Sequence, residues 1–300
     1  MAFRPNKLAP YIFVSPFFIL FAIFSACPIA LSIHMSLFDS IGFTTKVFVG
    51  WENYTSLLRD NLFWKAVLNT LYFAAGTFLI QIPIALGLAL ILNNKLLKGR
   101  SWFRLAFFSP VLIAGVFIAI IFNLIYNQDH GLLNYLLSAR FPRWLLSKFG
   151  VQNTGFGWLR ESHLVMPAII LAGVWRWSGF NMVYFLAGLQ AVREELYEAA
   201  AIDGAGPWQS FLHVTLPGLR PIILFVFVMS MIGSFELFDI PYVLLGGPGP
   251  NDSGLTVVMY LYREGFSNLR LGYAAAIGWV LFAIVFTLSA FQMLFLRSRD

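Results

Sequence analysis

Charge is what this sequence has least of. Asp, Glu, Lys and Arg together make up 11% of its 300 residues, where soluble domains carry about 25%, so an ordinary soluble fold is excluded. A single cysteine, Cys27, lies inside an apolar run, which excludes a disulfide framework or a cysteine-based metal cluster within the chain. The sequence has no G-x-x-x-x-G-K-[ST] to cradle nucleotide phosphates, and no H-E-x-x-H or G-x-S-x-G. His34, His130, His163 and His213 are scattered without ligand spacing. No enzyme active site is visible, so any uphill movement must draw on an ion gradient or on another subunit. What is abundant is apolar: 59% of residues are hydrophobic, with 32 Phe, 11 Tyr and 9 Trp, and the mean hydropathy is +0.76. Length alone suggests two soluble domains, but composition overrules it. The chain reads as an integral membrane protein, its net charge of +6 belonging to basic loops at a membrane surface.

A spanning helix needs about 20 mostly apolar residues. Stretches free of Asp, Glu, Lys and Arg run from Leu8 to Phe38, Ala66 to Asn94, Leu105 to Gln128 and Leu271 to Leu296. Leu164 to Val192 carries only Arg176, and Pro221 to Gly247 only Glu236 and Asp239. These predict six helical spans at 10–38, 66–92, 105–126, 164–190, 221–245 and 271–296, since barrel strands are shorter and alternate in polarity. The first run is too long for a secretory signal and reads as a retained helix; Pro16, Pro28 and Pro83 are tolerated within membrane helices. Six spans put both termini on one side. With them inside, ten basic residues face inward: Arg4, Lys7, Lys95, Lys98, Arg100, Arg104, Arg193, Arg220, Arg297 and Arg299. Nine face outward: Lys46, Arg59, Lys65, Arg140, Arg143, Lys148, Arg160, Arg263 and Arg270. Short connections weigh most, and 95–104 holds four cations and no acid, so the termini are placed in the cytoplasm.

The connection between the fourth and fifth spans, 191–220, is the most informative segment. Glu194 to Asp203 is rich in helix formers, with acids in its first turn. Gly204 and Gly206 stop that helix, Pro207 suits the first position of a second one over 208–214, and Leu216-Pro217 should end it. Alanines 199–201 leave a low-relief face for another protein. Glu198-Ala199-Ala200, three residues, Gly204, nine residues, then Val214-x-Leu216-Pro217 resembles the EAA signature of importer permeases of the ATP-binding cassette class, EAA-x3-G-x9-I-x-LP, with Val for Ile the one departure. The resemblance is nearest to the sugar-permease branch related to maltose and glycerol-phosphate importers. It includes Pro10-Tyr11, Phe48-Val49-Gly50-Trp51-Glu52-Asn53-Tyr54, Gly131-Leu132-Leu133-Asn134, Gly179-Phe180-Asn181-Met182, Phe238-Asp239 and Gly246-Gly247-Pro248.

This resemblance implies an all-α, polytopic fold: one permease domain over 1–300, with six transmembrane helices and a cytoplasmic coupling helix, as in type I importers. It implies a location in a bacterial or archaeal cytoplasmic membrane. The implied partners are a second homologous permease, two ATPase subunits, an extracytoplasmic solute-binding protein, a carbohydrate substrate and membrane lipid, with no nucleic acid. The chain itself would hold no cofactor, ATP and Mg being bound by the ATPase. The ATPase-docking role falls on Glu198, Ala199, Ala200 and Gly204, with Glu198 pairing with a basic group.

Arg176, Glu236 and Asp239 are the only Asp, Glu, Lys or Arg residues in the expected spans. Charges there face a cavity or each other. Glu236 and Asp239, three apart, are expected on one helix face, and Arg176 at a depth that lets it pair with Glu236. Such a pair either locks two helices together or lines a solute path. The resemblance puts substrate contacts near Gly173–Phe180 and Ser230–Glu236, making Arg176, Trp177, Phe180, Asn181, Ser230, Glu236 and Asp239 the pathway candidates. Trp175 and Tyr184 are further rings on which a sugar could stack, although interface belts account for most aromatics. Gly246-Gly247-Pro248-Gly249-Pro250 is expected as an irregular loop. The competing reading is a stand-alone secondary transporter using the membrane charges as an ion or proton relay.

Overall fold

The computed structural model describes residues 9–42, 45–94, 96–140 and 155–297; Arg4, Lys7, Lys95, Arg143, Lys148 and Arg299 lie outside them. Among the described residues the chain is helical apart from one hairpin. Four helices are long and apolar enough to cross a membrane: Tyr11–Ser36 (α1), Asn61–Asn93 (α3), Ser162–Ala191 (α7) and Leu271–Leu294, within Leu271–Arg297 (α13). Between them lie Glu52–Leu58 (α2), Arg100–Phe108 (α4), Gly115–Ile125 (α5), Leu132–Arg140 (α6), Glu194–Ile202 (α8), Pro207–Gly218 (α9), Arg220–Phe235 (α10), Asp239–Leu245 (α11) and Val257–Tyr262 (α12). Two of the expected spans are bent. Arg100–Leu112 and Gly115–Ile125 meet at 102°, and α9 and α10 at 64°.

Both wide, π-type turns in the membrane helices and the loop helix fall just ahead of a proline. Ala22–Ala26 precedes Pro28, and Phe211–Thr215 precedes Pro217. A proline ring strikes the carbonyl four residues back, and a widened turn moves that carbonyl aside. This is why α9 continues through Pro217 to Gly218, where the sequence predicted a stop.

The contacts divide the chain into two units. The first comprises the chain up to Phe63 together with Tyr260–Phe282. Its hairpin, Phe38–Ile41 (β1) against Thr45–Phe48 (β2) with Phe38 opposite Phe48, follows directly on α1, whose last residue is Ser36 rather than Phe38. Asn53 and Tyr54 of the expected motif fasten this corner. The buried Asn53 amide donates to the carbonyls of Ser36 (2.8 Å) and Phe38 (3.0 Å), satisfying the end of α1, and Tyr54 bonds the Ser36 hydroxyl at 2.7 Å. Asp60 closes the unit by accepting hydrogen bonds from the phenols of Tyr260 and Tyr273 (2.9 Å for the latter) and from the Leu62 N–H.

Burial on its own would raise the pKa of the Asp60 carboxyl, but those donors outweigh burial and hold it below its ordinary 3.8. Burial and the bond to Asp60 push the Tyr260 phenol in the other direction, upward. A carboxylate whose pKa falls on folding stabilises the fold above its unfolded value, and the contribution is lost as pH drops through the lower folded value. Thermal stability of the wild type is therefore expected to fall more steeply below about pH 4 than that of Asp60→Asn. Parallel melting-temperature profiles in acid would show that the clasp is not ionic.

The second unit comprises Trp64–Met259 and the chain from Ala283 onward, and α7 is its most buried long helix. Small residues bring its neighbours close, as membrane packing favours. A Cβ on Gly173 would meet the Phe73 ring at 3.0 Å, and one on Gly188 the Leu219 side chain at 2.7 Å. One on Gly179 would sit 1.7 Å from the Phe107 carbonyl oxygen, so the first residue of the Gly179-Phe180-Asn181-Met182 motif is a contact point between two backbones. Asn134, from the Gly131-Leu132-Leu133-Asn134 motif, is a buried hub. Its amide donates to the Gln128 and Phe156 carbonyls, and its oxygen accepts from Trp158 Nε1 at 2.9 Å.

Candidate functional site

The loop helix α8 starts at Glu194 after extended residues Val192 and Arg193. Its C-terminus is a Schellman motif. Gly204 takes φ +78°, its N–H bonds the Ala201 carbonyl at 3.1 Å, and the Ala205 N–H bonds the Ala200 carbonyl at 2.9 Å. That left-handed conformation explains the signature glycine. Glu198 and Ala199 are exposed and Ala200 is half-buried, and Glu198 has no hydrogen bond or ion pair among the described residues. Two contacts missed from the sequence brace this helix and its successor: Tyr197 bonds the Thr215 hydroxyl at 3.0 Å, and Gln209 Oε1 accepts the Gly206 N–H at 2.9 Å. The result is a braced helix–turn–helix whose first helix is largely exposed and carries an acid with no ion-pair partner among the described residues.

The membrane charges are arranged differently from the expectation. Arg176 pairs with Asp239, Nη1 to Oδ2 at 3.2 Å, and not with Glu236. The two acids do not share a helix face, because α10 ends at Phe235 and α11 begins at Asp239. Pro241 forces the restart: it cannot donate to the Leu237 carbonyl, which accepts instead from the Thr256 hydroxyl at 2.7 Å. Glu236 is left exposed just beyond the end of α10. The guanidinium also lies 5.1 Å from the centre of the Trp177 ring, within cation–π range. A residue not singled out in the sequence makes the pair possible. A Cβ on Gly115, the first residue of α5, would lie 1.6 Å from Asp239 Oδ2 and 2.7 Å from Arg176 Nη1. The extended residues Ile113 and Ala114 just before it break the expected third span and bring this glycine against the pair. No hydropathy scale registers such a break, since the chain is apolar on both sides.

The remaining pathway candidates fall into two groups. The buried Asn181 donates to the Ser230 hydroxyl at 3.2 Å, tying α7 to α10. Trp177, Phe180 and Tyr184, at the three- and four-residue steps of one helix face, form a row of edge-on rings with centres 5.7 and 5.1 Å apart, continued by Phe225 of α10 at 5.1 Å. Trp175 packs on Phe122 instead. Among the described residues no group of three or more His, Cys, Asp or Glu is placed to hold a metal ion.

Residues 81–299 match the model of the family described as binding-protein-dependent transport system inner membrane component. The chain is 40% identical over 292 residues to the arabinooligosaccharides transport system permease protein AraP of Bacillus subtilis (strain 168), covering 97% of this chain and 89% of the relative. It is 36% identical over 295 residues to the lactose transport system permease protein LacF of Rhizobium radiobacter, covering 96% and 94%. Its fold matches a chain of a bacterial ABC transporter involved in the import of the acidic polysaccharide alginate, with a TM-score of 0.81 at 24% identity, covering 97% of this chain and 96% of the other.

Proposed function

This chain belongs to the family of inner membrane components of binding-protein-dependent transport systems, and from that premise we propose that it is the permease subunit of an importer for a sugar or oligosaccharide. The observation that carries the reading is the exposed α8, with Glu198 unpaired and Gly204 closing the helix, in a chain that holds no nucleotide-binding motif of its own. Such a surface serves to receive force from another protein. The proposed assembly adds a second, homologous permease, two ATPase subunits docked on the 191–220 loops, and an extracytoplasmic solute-binding protein. ATP and Mg are bound by the ATPase, this chain holding no cofactor and catalysing no reaction. Both termini and α8 then face the cytoplasm.

Within the membrane we assign different work to the two groups of candidates. The Arg176–Asp239 pair, fitted around Gly115, joins α5, α7 and α11 and acts as a structural lock. The ring row of Trp177, Phe180 and Tyr184, with the Asn181–Ser230 bond beside it, is the solute-facing surface, since sugar rings stack on aromatic faces and their hydroxyls match amide and hydroxyl partners. A proton relay through Arg176 and Asp239 is disfavoured because each neutralises the other. The sugar assignment is supported by the printed substrates of the relatives, arabinooligosaccharides and lactose. A thermal-shift screen of the solute-binding protein that works with this chain checks it. Stabilisation by a mono- or oligosaccharide is expected, whereas stabilisation by an amino acid or a metal ion alone would overturn the sugar class.

A further inference from the structure

From the far end of α3 and the turn that follows it, we infer that this chain carries a site for an anionic phospholipid. Beside the last turn of α3 lies an open cleft of about 500 Å³ lined by Leu90, Ile91, Asn94, Leu96 and Leu97. Leu96 is 87% exposed and Ile91 62%. Lys98 follows the cleft directly and Arg100 stands two residues on; both are exposed and neither has a hydrogen-bond or ion-pair partner among the described residues. No acid occurs between Asp60 and Asp129, so nothing in this stretch of chain competes for the two cations. Charge and shape together define the occupant: an apolar trough for an acyl chain, with a cationic rim for a phosphate.

The helix that follows has the composition of an interfacial segment. In α4, Trp102 is 76% exposed, beside exposed Phe103 and Leu105; indole rings favour the headgroup level, and basic, aromatic amphipathic helices lie in the interface. Arg104 is already engaged. Its Nη2 donates to the Leu92 carbonyl at 2.9 Å, capping α3 and holding α4 beside the cleft, so that among the described residues of this turn Lys98 and Arg100 are the cations left for a ligand. The site requires only that α3 crosses a bilayer, and its test reads lipid retention rather than uptake.

The test is native mass spectrometry of the full-length chain, delipidated in detergent and titrated in parallel with 1-palmitoyl-2-oleoyl-phosphatidylglycerol and the matching phosphatidylcholine. Each cation near a headgroup contributes about fivefold, so the two predict a preference for phosphatidylglycerol of roughly 25-fold. Lys98→Gln with Arg100→Gln should abolish that preference, the Lys98→Arg, Arg100→Lys exchange should keep most of it, and Ile91→Trp, filling the trough, should weaken both lipids. Equal retention of the two lipids by the wild type overturns the proposal. So does an unchanged preference in the double glutamine variant. Loss of the second permease from the purified complex in that variant, with lipid binding intact, would make the cleft a subunit interface and likewise overturn it.

Discussion

Glu198→Lys is expected to abolish solute uptake while the chain still inserts at wild-type levels. The side chain is exposed on α8 and makes no hydrogen bond or ion pair among the described residues, so reversing its charge disturbs no contact within the fold, and surface substitutions of this kind usually stay within about 0.5 kcal/mol. Across a docked interface the consequence is different. A carboxylate paired with a basic group becomes two facing cations, and disrupting a close interfacial charge pair costs about 2–5 kcal/mol, enough to lower the ATPase-bound population by more than tenfold. Glu198→Gln should fall between the two. Co-purification of the ATPase and uptake are the readouts, with membrane abundance as the control. If both survive the lysine substitution, Glu198 does not dock the ATPase.

Arg176→Ala is expected to lower stability, with Asp239→Asn on the same background recovering much of the loss. The pair has one side chain mostly buried and one well exposed, at 15% and 43%, so its loss should lie between the 0–1 kcal/mol of an exposed pair and the 3–5 kcal/mol of a buried one, about 1–3 kcal/mol. Neutralising Asp239 removes the stranded acid. Glu236→Gln, by contrast, should rescue nothing, because Arg176 pairs with Asp239 and not with Glu236. Fluorescence-detected thermal melts of the detergent-solubilised chain distinguish these outcomes. Rescue by Glu236→Gln would restore the pairing expected from the sequence, and normal stability with additive loss of uptake would place Arg176 and Asp239 on the solute path instead.

How far the sequence reaches is clearest where the structure departs from it. The loop helix α8 is legible in the sequence almost to the residue, because its determinants are local: acids in the first turn, alanines in the middle and a glycine that takes φ +78°. The long apolar helices were legible for the same reason, each being a continuous hydrophobic run. The hairpin after α1 was not, since its strands are four residues each and its corner is held by Asn53 from further along the chain. The break between Leu112 and Gly115 is hidden because apolar residues flank it and its glycine is set against the Arg176–Asp239 pair from elsewhere in the chain. The restart at Asp239 has a local cause in Pro241, but hydropathy does not register it, and the Leu237 carbonyl that the proline leaves free is met by the distant Thr256 hydroxyl. Arg176 reads from the sequence as a charge paired with Glu236; Asp239 takes that place because the helix ends at Phe235, an end that hydropathy cannot locate. Gly115 carried no sequence signal at all. Its importance appears only when a Cβ is placed beside the ion pair.

The central claim is that this chain is a conduit whose energy arrives through α8 from a separate ATPase. Proteoliposomes containing the full assembly, with binding protein and labelled oligosaccharide outside, test it most directly when supplied either with ATP and Mg inside or with an imposed proton or sodium gradient and no nucleotide. Accumulation is predicted with internal ATP alone, and is predicted to vanish when Glu198→Lys replaces the wild-type chain. Accumulation driven by an ion gradient without ATP would contradict the account.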